Sequence, residues 1–131
     1  MWSVTKLTRI PAGDGTLDPA RHGLKLADAH LELNPDDARA WYLRAAALMR
    51  LSQSEQAMER AQRASTIDPE DTAVLYNVGC VYALAGSTEE ALDHLDKAIQ
   101  NGFEQREWVE NDSDWDSLRR EPRFQALMQK L

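Results

Sequence analysis

The chain has a single cysteine, Cys80, among its 131 residues. One thiol excludes an internal disulfide framework and fits a reducing compartment. No stretch approaches the ~20 consecutive apolar residues of a membrane span, so a transmembrane helix is not expected. The opening residues, Met1-Trp2-Ser3-Val4-Thr5-Lys6, lack the apolar core of a secretory leader, and a cytoplasmic location is expected. Cationic side chains are in the minority, 15 Lys and Arg against 22 Asp and Glu, for a net charge of −7. Such a chain repels phosphate backbones, which argues against nucleic-acid binding. The length excludes a protein kinase, a cyclase or a propeller, yet 43% hydrophobic residues suffice for one domain with a modest core.

Patterns that carry chemistry are also missing. His22, His30 and His94 have no Cys or carboxylate arrangement beside them that completes a metal site. Cys80 stands among Val78, Val81 and Ala83 without a neighbouring base, as a structural thiol does. Asp112-Ser113-Asp114-Trp115-Asp116 begins like a calcium loop, but Ser117 and Arg123 stand where glycine and glutamate are required. These aspartates are expected to cap short helices instead. Gly13-Asp14-Gly15 lacks the lysine and helix of a phosphate loop. No cofactor, no metal and no enzymatic activity are expected.

What the sequence does have is a period. Asn34-Pro35-Asp36-Asp37 recurs as Asp68-Pro69-Glu70-Asp71, 34 residues later. The same step carries Trp41 to Leu75, Ala45 to Gly79, Leu48 to Tyr82, Ala57 to Ala91 and Ala64 to Ala98. Within each unit the apolar spacing is near 3.6, so the units are helical. The pattern predicts two antiparallel helix hairpins, 38–51 with 54–67 and 72–85 with 88–101. Ser87 and Glu90 have the spacing of a capping box, and Gly102 offers a helix C-cap. Charge follows the same division: residues 69–103 hold six acidic groups and one basic, most of the net −7.

Two hairpins leave apolar end faces, so the flanks are expected to cap them. Upstream, Asp18-Pro19 reads as an N-cap and first helical position before an apolar face of Leu24, Leu26, Ala27, Leu31 and Leu33. This predicts a half-repeat, the second helix of a hairpin whose first is missing. Downstream, a short helix is expected over 107–110, and Pro122 opens a last one with Phe124, Leu127, Met128 and Leu131 on one face. The division is therefore an extended N-terminal arm over 1–16 and a helical domain over 17–131. The domain splits into a half-repeat at 17–34, repeats at 38–71 and 72–103, and an irregular cap at 104–131.

These residues resemble the tetratricopeptide repeat, W-x2-L-G-x2-Y, then A-x3-F, then P. The second unit supplies Leu75, Val78, Gly79, Tyr82, Ala91, Leu95 and Ala98; the first supplies Trp41, Ala45, Leu48, Ala57, Ala61, Ala64 and Pro69. Arg44 departs from it, standing where the family prefers leucine. The ending Leu118-Arg119-Arg120-Glu121-Pro122-Arg123-Phe124 is similar to that of a bacterial group whose repeats follow a serine/threonine kinase, an adenylate cyclase or a TolB-like domain. The resemblance implies an all-α, right-handed solenoid and a non-catalytic scaffold that binds a protein or peptide partner in a concave groove. It places Arg39, Tyr42, Met49 and Arg50 of the first unit, and Tyr76, Asn77, Cys80 and Leu84 of the second, along that groove. The alternative is a structural self-assembly unit that dimerises through the N-terminal arm, where Trp2 to Ile10 are rich in β-branched residues, or through a solenoid end.

Overall fold

The computed structural model describes residues 17–131; the arm expected over 1–16 lies outside the described residues. The described chain is all-helical and without strands. In order, α1 spans Leu17–Leu33, α2 Ala38–Arg50, α3 Ser54–Ile67, α4 Thr72–Ala85, α5 Thr88–Gln100 and α6 Arg106–Asn111. A 3-10 helix follows over Ser113–Leu118, and α7 closes the chain over Pro122–Gln129.

The recurring junctions start and stop these helices. Asp37 and Asp71 leave helical geometry, and each turns its carboxylate onto the first orphan amides of the next helix. Asp37 accepts from the Ala40 amide at 3.3 Å, and Asp71 from the Ala73 amide at 2.8 Å. At the other ends a left-handed residue reverses the chain. Ser52 (φ 60°), Gly86 (φ 83°) and Gly102 (φ 106°) hold this place after α2, α4 and α5. The next amide in each case bonds back to a carbonyl five residues earlier, at 2.9 Å: Gln53 to Leu48, Ser87 to Tyr82 and Phe103 to Ala98.

Two expected caps form differently. Helix α1 begins at Leu17, so Asp18 lies inside the first turn rather than flanking it. The Ser87–Glu90 capping box does not form, because the Ser87 hydroxyl donates instead to Met58 Sδ at 3.2 Å on the neighbouring hairpin.

The helices pack as two antiparallel hairpins, α2 with α3 and α4 with α5, joined through α3 on α4 and α2 beside α4. Small residues sit where the backbones cross. Ala45, Ala57, Ala61 and Ala64 are wholly buried in the first hairpin, as are Ala91 and Ala98 in the second. A Cβ on Gly79 would stand 3.4 Å from the Ala91 carbonyl, which shows how close α4 and α5 come. Helix α1 lies on α2, with Ala20, Ala27 and Leu31 turned inward. Arg44, the departure from the repeat, faces that joint and pairs with Asp28 of α1 at 2.7 Å. Its guanidinium also lies 5.9 Å from the Trp41 ring centre.

The segment after Phe103 folds back over α4. The 3-10 helix packs on α4, and α7 packs on α5. Helix α4 is therefore enclosed, with ten consecutive residues, Val74 to Ala83, buried. A helix this apolar on every side needs a cover on every side.

Candidate functional site

The eight residues expected to line the groove do not form one open surface. Tyr76, Asn77 and Cys80 are fully buried, and this corrects their placement in an open groove. The cover is the chain's own 3-10 helix and the turn before it. Asp112 caps that helix by accepting from the Asp114 amide at 3.0 Å, and its other oxygen accepts from the Tyr76 phenol at 2.6 Å. The Trp115 indole donates to the same phenol at 3.3 Å. Phe103, set in place by the turn at Gly102, stacks on the Tyr76 ring at 4.8 Å, and Trp108 and Trp115 flank it. The Asn77 side-chain amide donates to the Ala73 carbonyl at 2.8 Å. Arg119 holds the bend by donating to the carbonyls of Val109 and Asp112, and Arg106 does so at the Met128 carbonyl.

This cluster is structural in its chemistry. Ligand atoms of Cys80, Asp112 and Asp114 lie within 4.8 Å of one another, a spacing a metal ion could use. Yet the Asp112 oxygens already receive the Tyr76 phenol, the Asp114 amide and the Cys80 thiol at 3.7 Å. Burial, reinforced by the charges of Asp112 and Asp114, pushes the Cys80 thiol well above its ordinary value. A thiol held protonated is neither a nucleophile nor a ready metal ligand. Burial likewise pushes the Tyr76 phenol far up, with Cys80 and Asp112 adding to it. The sequence presented Asp112 as a helix cap, which it is. Its second role on Tyr76, 36 residues away, had no local signal.

The remaining groove residues divide. Tyr42 is buried beside α4, and burial raises its phenol pKa. Arg39 is exposed, Met49 and Arg50 are half-buried, and Leu84 is exposed at the far end of α4. Among the described residues, an open apolar surface lies between α1 and α2. A pocket of about 240 Å³ there is lined by Leu26, Ala27 and His30 from α1 and by Arg39, Ala40 and Leu43 from α2. Leu26 is 58% exposed and Leu33, on the same face, 84%. His30 meets the Asp37 carboxylate at 2.6 Å across one end. The signal was in the sequence: Leu24, Ala27 and Leu31 form one helical stripe, and Leu26 and Leu33 lie outside it.

Helix hairpins in a 34-residue series, packed each on its neighbour, define an all-α repeat fold consistent with a tetratricopeptide solenoid. Residues 28–59, from late α1 into α3, match the family model described as "Tetratricopeptide repeat", and this supports that family. Over 80 residues, 59% of its length, the chain is 30% identical to a chloroplastic protein of Arabidopsis thaliana. The alignment takes in 24% of that protein, so the chain spans about a quarter of this relative. Tetratricopeptide repeats are in general non-catalytic interaction domains, and the matches point to no catalytic family. No helix among the described residues is long and apolar enough to cross a membrane.

Proposed function

We propose that this chain is a non-catalytic interaction module that binds a peptide or helix of a protein partner along the face shared by α1 and α2. The observation that carries this reading is the contrast between an enclosed α4 and an open strip on α1 and α2. That strip offers Leu26, Leu43 and Met49 as apolar contacts, with Arg39 and Arg50 to orient a ligand. Tyr76, Asn77 and Cys80 serve the same function indirectly, by holding the domain closed behind it. The excess of acidic groups on the second hairpin supports a protein partner rather than nucleic acid. The similarity of residues 118–124 to the ending of bacterial kinase, cyclase and TolB-like proteins supports a cytoplasmic scaffold beside a signalling domain.

The test is selection of ligands from a displayed peptide library, followed by Arg39→Glu and Arg50→Glu in the full chain. A loss of affinity of tenfold or more with an unchanged circular dichroism spectrum is expected. Ligands that bind both variants as well as the parent would refute the surface. A second reading is a self-assembly unit, favoured by the exposure of Leu26 and Leu33 at one end of the solenoid. Light scattering separates the two: a monomer at every concentration removes self-assembly.

A further inference from the structure

We infer that the groove between α3 and α5 is a second docking site, one that takes an arginine side chain of a protein partner. It shares no residue with the strip on α1 and α2, so the two surfaces stand or fall separately. The groove encloses about 530 Å³. Met58 of α3, Tyr82 near the end of α4 and Ser87 at the turn into α5 form its floor, and the exposed Glu55, Glu59 and Glu90 form its rim. No lysine or arginine is among the described residues that line it. Glu59 reaches Arg60 at 3.6 Å, while Glu55 and Glu90 make no ion pair with a described residue. His94, its ring 5.1 Å from that of Tyr82, adds no charge near neutral pH. Its Nδ1 donates to the Glu90 carbonyl at 2.7 Å, and burial lowers its pKa.

Carboxylates in the first turn of a helix also answer the helix's own dipole, and Glu55 and Glu90 stand there on α3 and α5. Acidity alone therefore makes no site. The independent observation is Tyr82. Its side chain is 7% exposed, and its phenol has no hydrogen-bond partner among the described residues. That phenol lies in the groove within the field of Glu90; burial and then this charge raise its pKa. The repeat does not demand the arrangement. One unit earlier, the 34-residue step puts Arg21, Leu24 and Lys25 in place of Glu55, Met58 and Glu59. It also puts Leu48, Gln53 and Gln56 in place of Tyr82, Ser87 and Glu90. The acidic, phenolic groove belongs to the joint of α3 and α5 and not to the period.

Size and donors select the cation. Ligand atoms of Glu55, Glu59 and Glu90 do not gather as those of Cys80, Asp112 and Asp114 do, so the three cannot close on one metal ion. A guanidinium is wide enough to bridge them. Its planar fork binds a carboxylate with two donors and keeps others for the Tyr82 phenol, which a compact ammonium does less well. Met58 and the Tyr82 ring give the arginine stem an apolar wall. The Ser87 hydroxyl donates to Met58 Sδ at 3.2 Å, which ties the floor across the two hairpins and leaves its oxygen to accept.

The experiment titrates the acetylated and amidated peptide Ala-Ala-Arg-Ala-Ala into the full chain and follows backbone amide resonances. Saturable shifts centred on Met58, Tyr82 and Ser87 are expected at millimolar peptide, and their absence overturns the site. Citrulline in place of the arginine keeps the shape without the charge and should abolish the shifts; lysine should bind at least threefold more weakly. Glu90→Gln should weaken binding at least fivefold, and Tyr82→Phe, which keeps the ring, at least threefold. Glu107→Gln on α6 and Arg39→Glu on the other surface should change nothing. Shifts spread along α5 to Asp93 and Asp96 and indifferent to Tyr82→Phe reveal net charge alone and overturn the site. Calcium chloride that reproduces the shifts and displaces the peptide overturns it in favour of a metal ion. Shifts of the same amides on raising protein concentration without peptide make a second copy the source of the arginine and exclude the partner.

Discussion

The two hairpins share a period and differ in what lies against them. In the second, a segment of irregular structure covers α4, and positions that a groove would expose become core. In the first, α2 has Tyr42, Ala45 and Ala46 buried but keeps Arg39, Met49 and Arg50 at the surface. The 34-residue step pairs Tyr76 with Tyr42, Val78 with Arg44 and Gly86 with Ser52. Among the described residues, one chain thus shows the same unit with and without a cover. The difference teaches that a repeat's inner face is defined by its neighbours as much as by its own residues.

The comparison breaks most severely at Trp115, whose indole is completely buried against α4 and α7. Trp115→Ala should lower unfolding free energy by about 3–5 kcal/mol in urea titrations, the ordinary cost of deleting a buried aromatic. Next comes the tyrosine pair. Tyr76→Phe leaves the buried Asp112 carboxylate without its phenol and should cost about 1.5–3 kcal/mol, as loss of a hydrogen bond to a charged group does. Tyr42→Phe should cost less, because no described carboxylate depends on that phenol.

The turn positions sharpen the comparison in the opposite sense. Ser52 holds a left-handed conformation that its counterpart Gly86 adopts without a Cβ penalty. Ser52→Gly should therefore stabilise by about 1 kcal/mol and Gly86→Ser destabilise by a similar amount, read as opposite changes in denaturation midpoint.

His94, on the second hairpin, gives a pH dependence. Burial lowers its pKa below the usual histidine value, although the Glu90 carbonyl beside Nδ1 opposes the shift. The unfolded chain therefore binds the proton more readily than the folded one. The stability contribution is whole above about pH 6.5 and falls as acid is added below it. His94→Gln should flatten that part of the stability–pH curve. The smallest effect belongs to Arg123, which reaches Glu89 and Asp93 from α7 across an exposed surface. Arg123→Ala should cost less than about 1 kcal/mol, and the difference should shrink in high salt.

The fold was legible because its signals are local. A proline shortly ahead of α2 and of α4, a left-handed turn after each, and alanines at 34-residue spacing set the helices within a residue or two of their observed ends. The candidate site was legible only in part. Arg39 and Leu84 are exposed, but no pattern within α4 says that Tyr76 meets Asp112. That contact depends on where a 3-10 helix falls after a short α6, and such a bend has no period to read. The pocket between α1 and α2 was visible as an apolar arc on α1 wider than one neighbour can cover.

The hydrogen bond from Arg106 to the Met128 carbonyl has a consequence for synthesis. The bonds that enclose α4 join residues far apart in order: Tyr76 to Asp112, Trp115 to Tyr76, and Arg106 to Met128. A ribosome releases α4 with its apolar inner side bare, and that side stays bare until Trp115 and then Met128 have left the exit tunnel. Helix α2 meets no such delay, since its partners α1 and α3 adjoin it in order. The chain should be most prone to misassociation late in its own translation, during the interval in which the second hairpin waits for its cover.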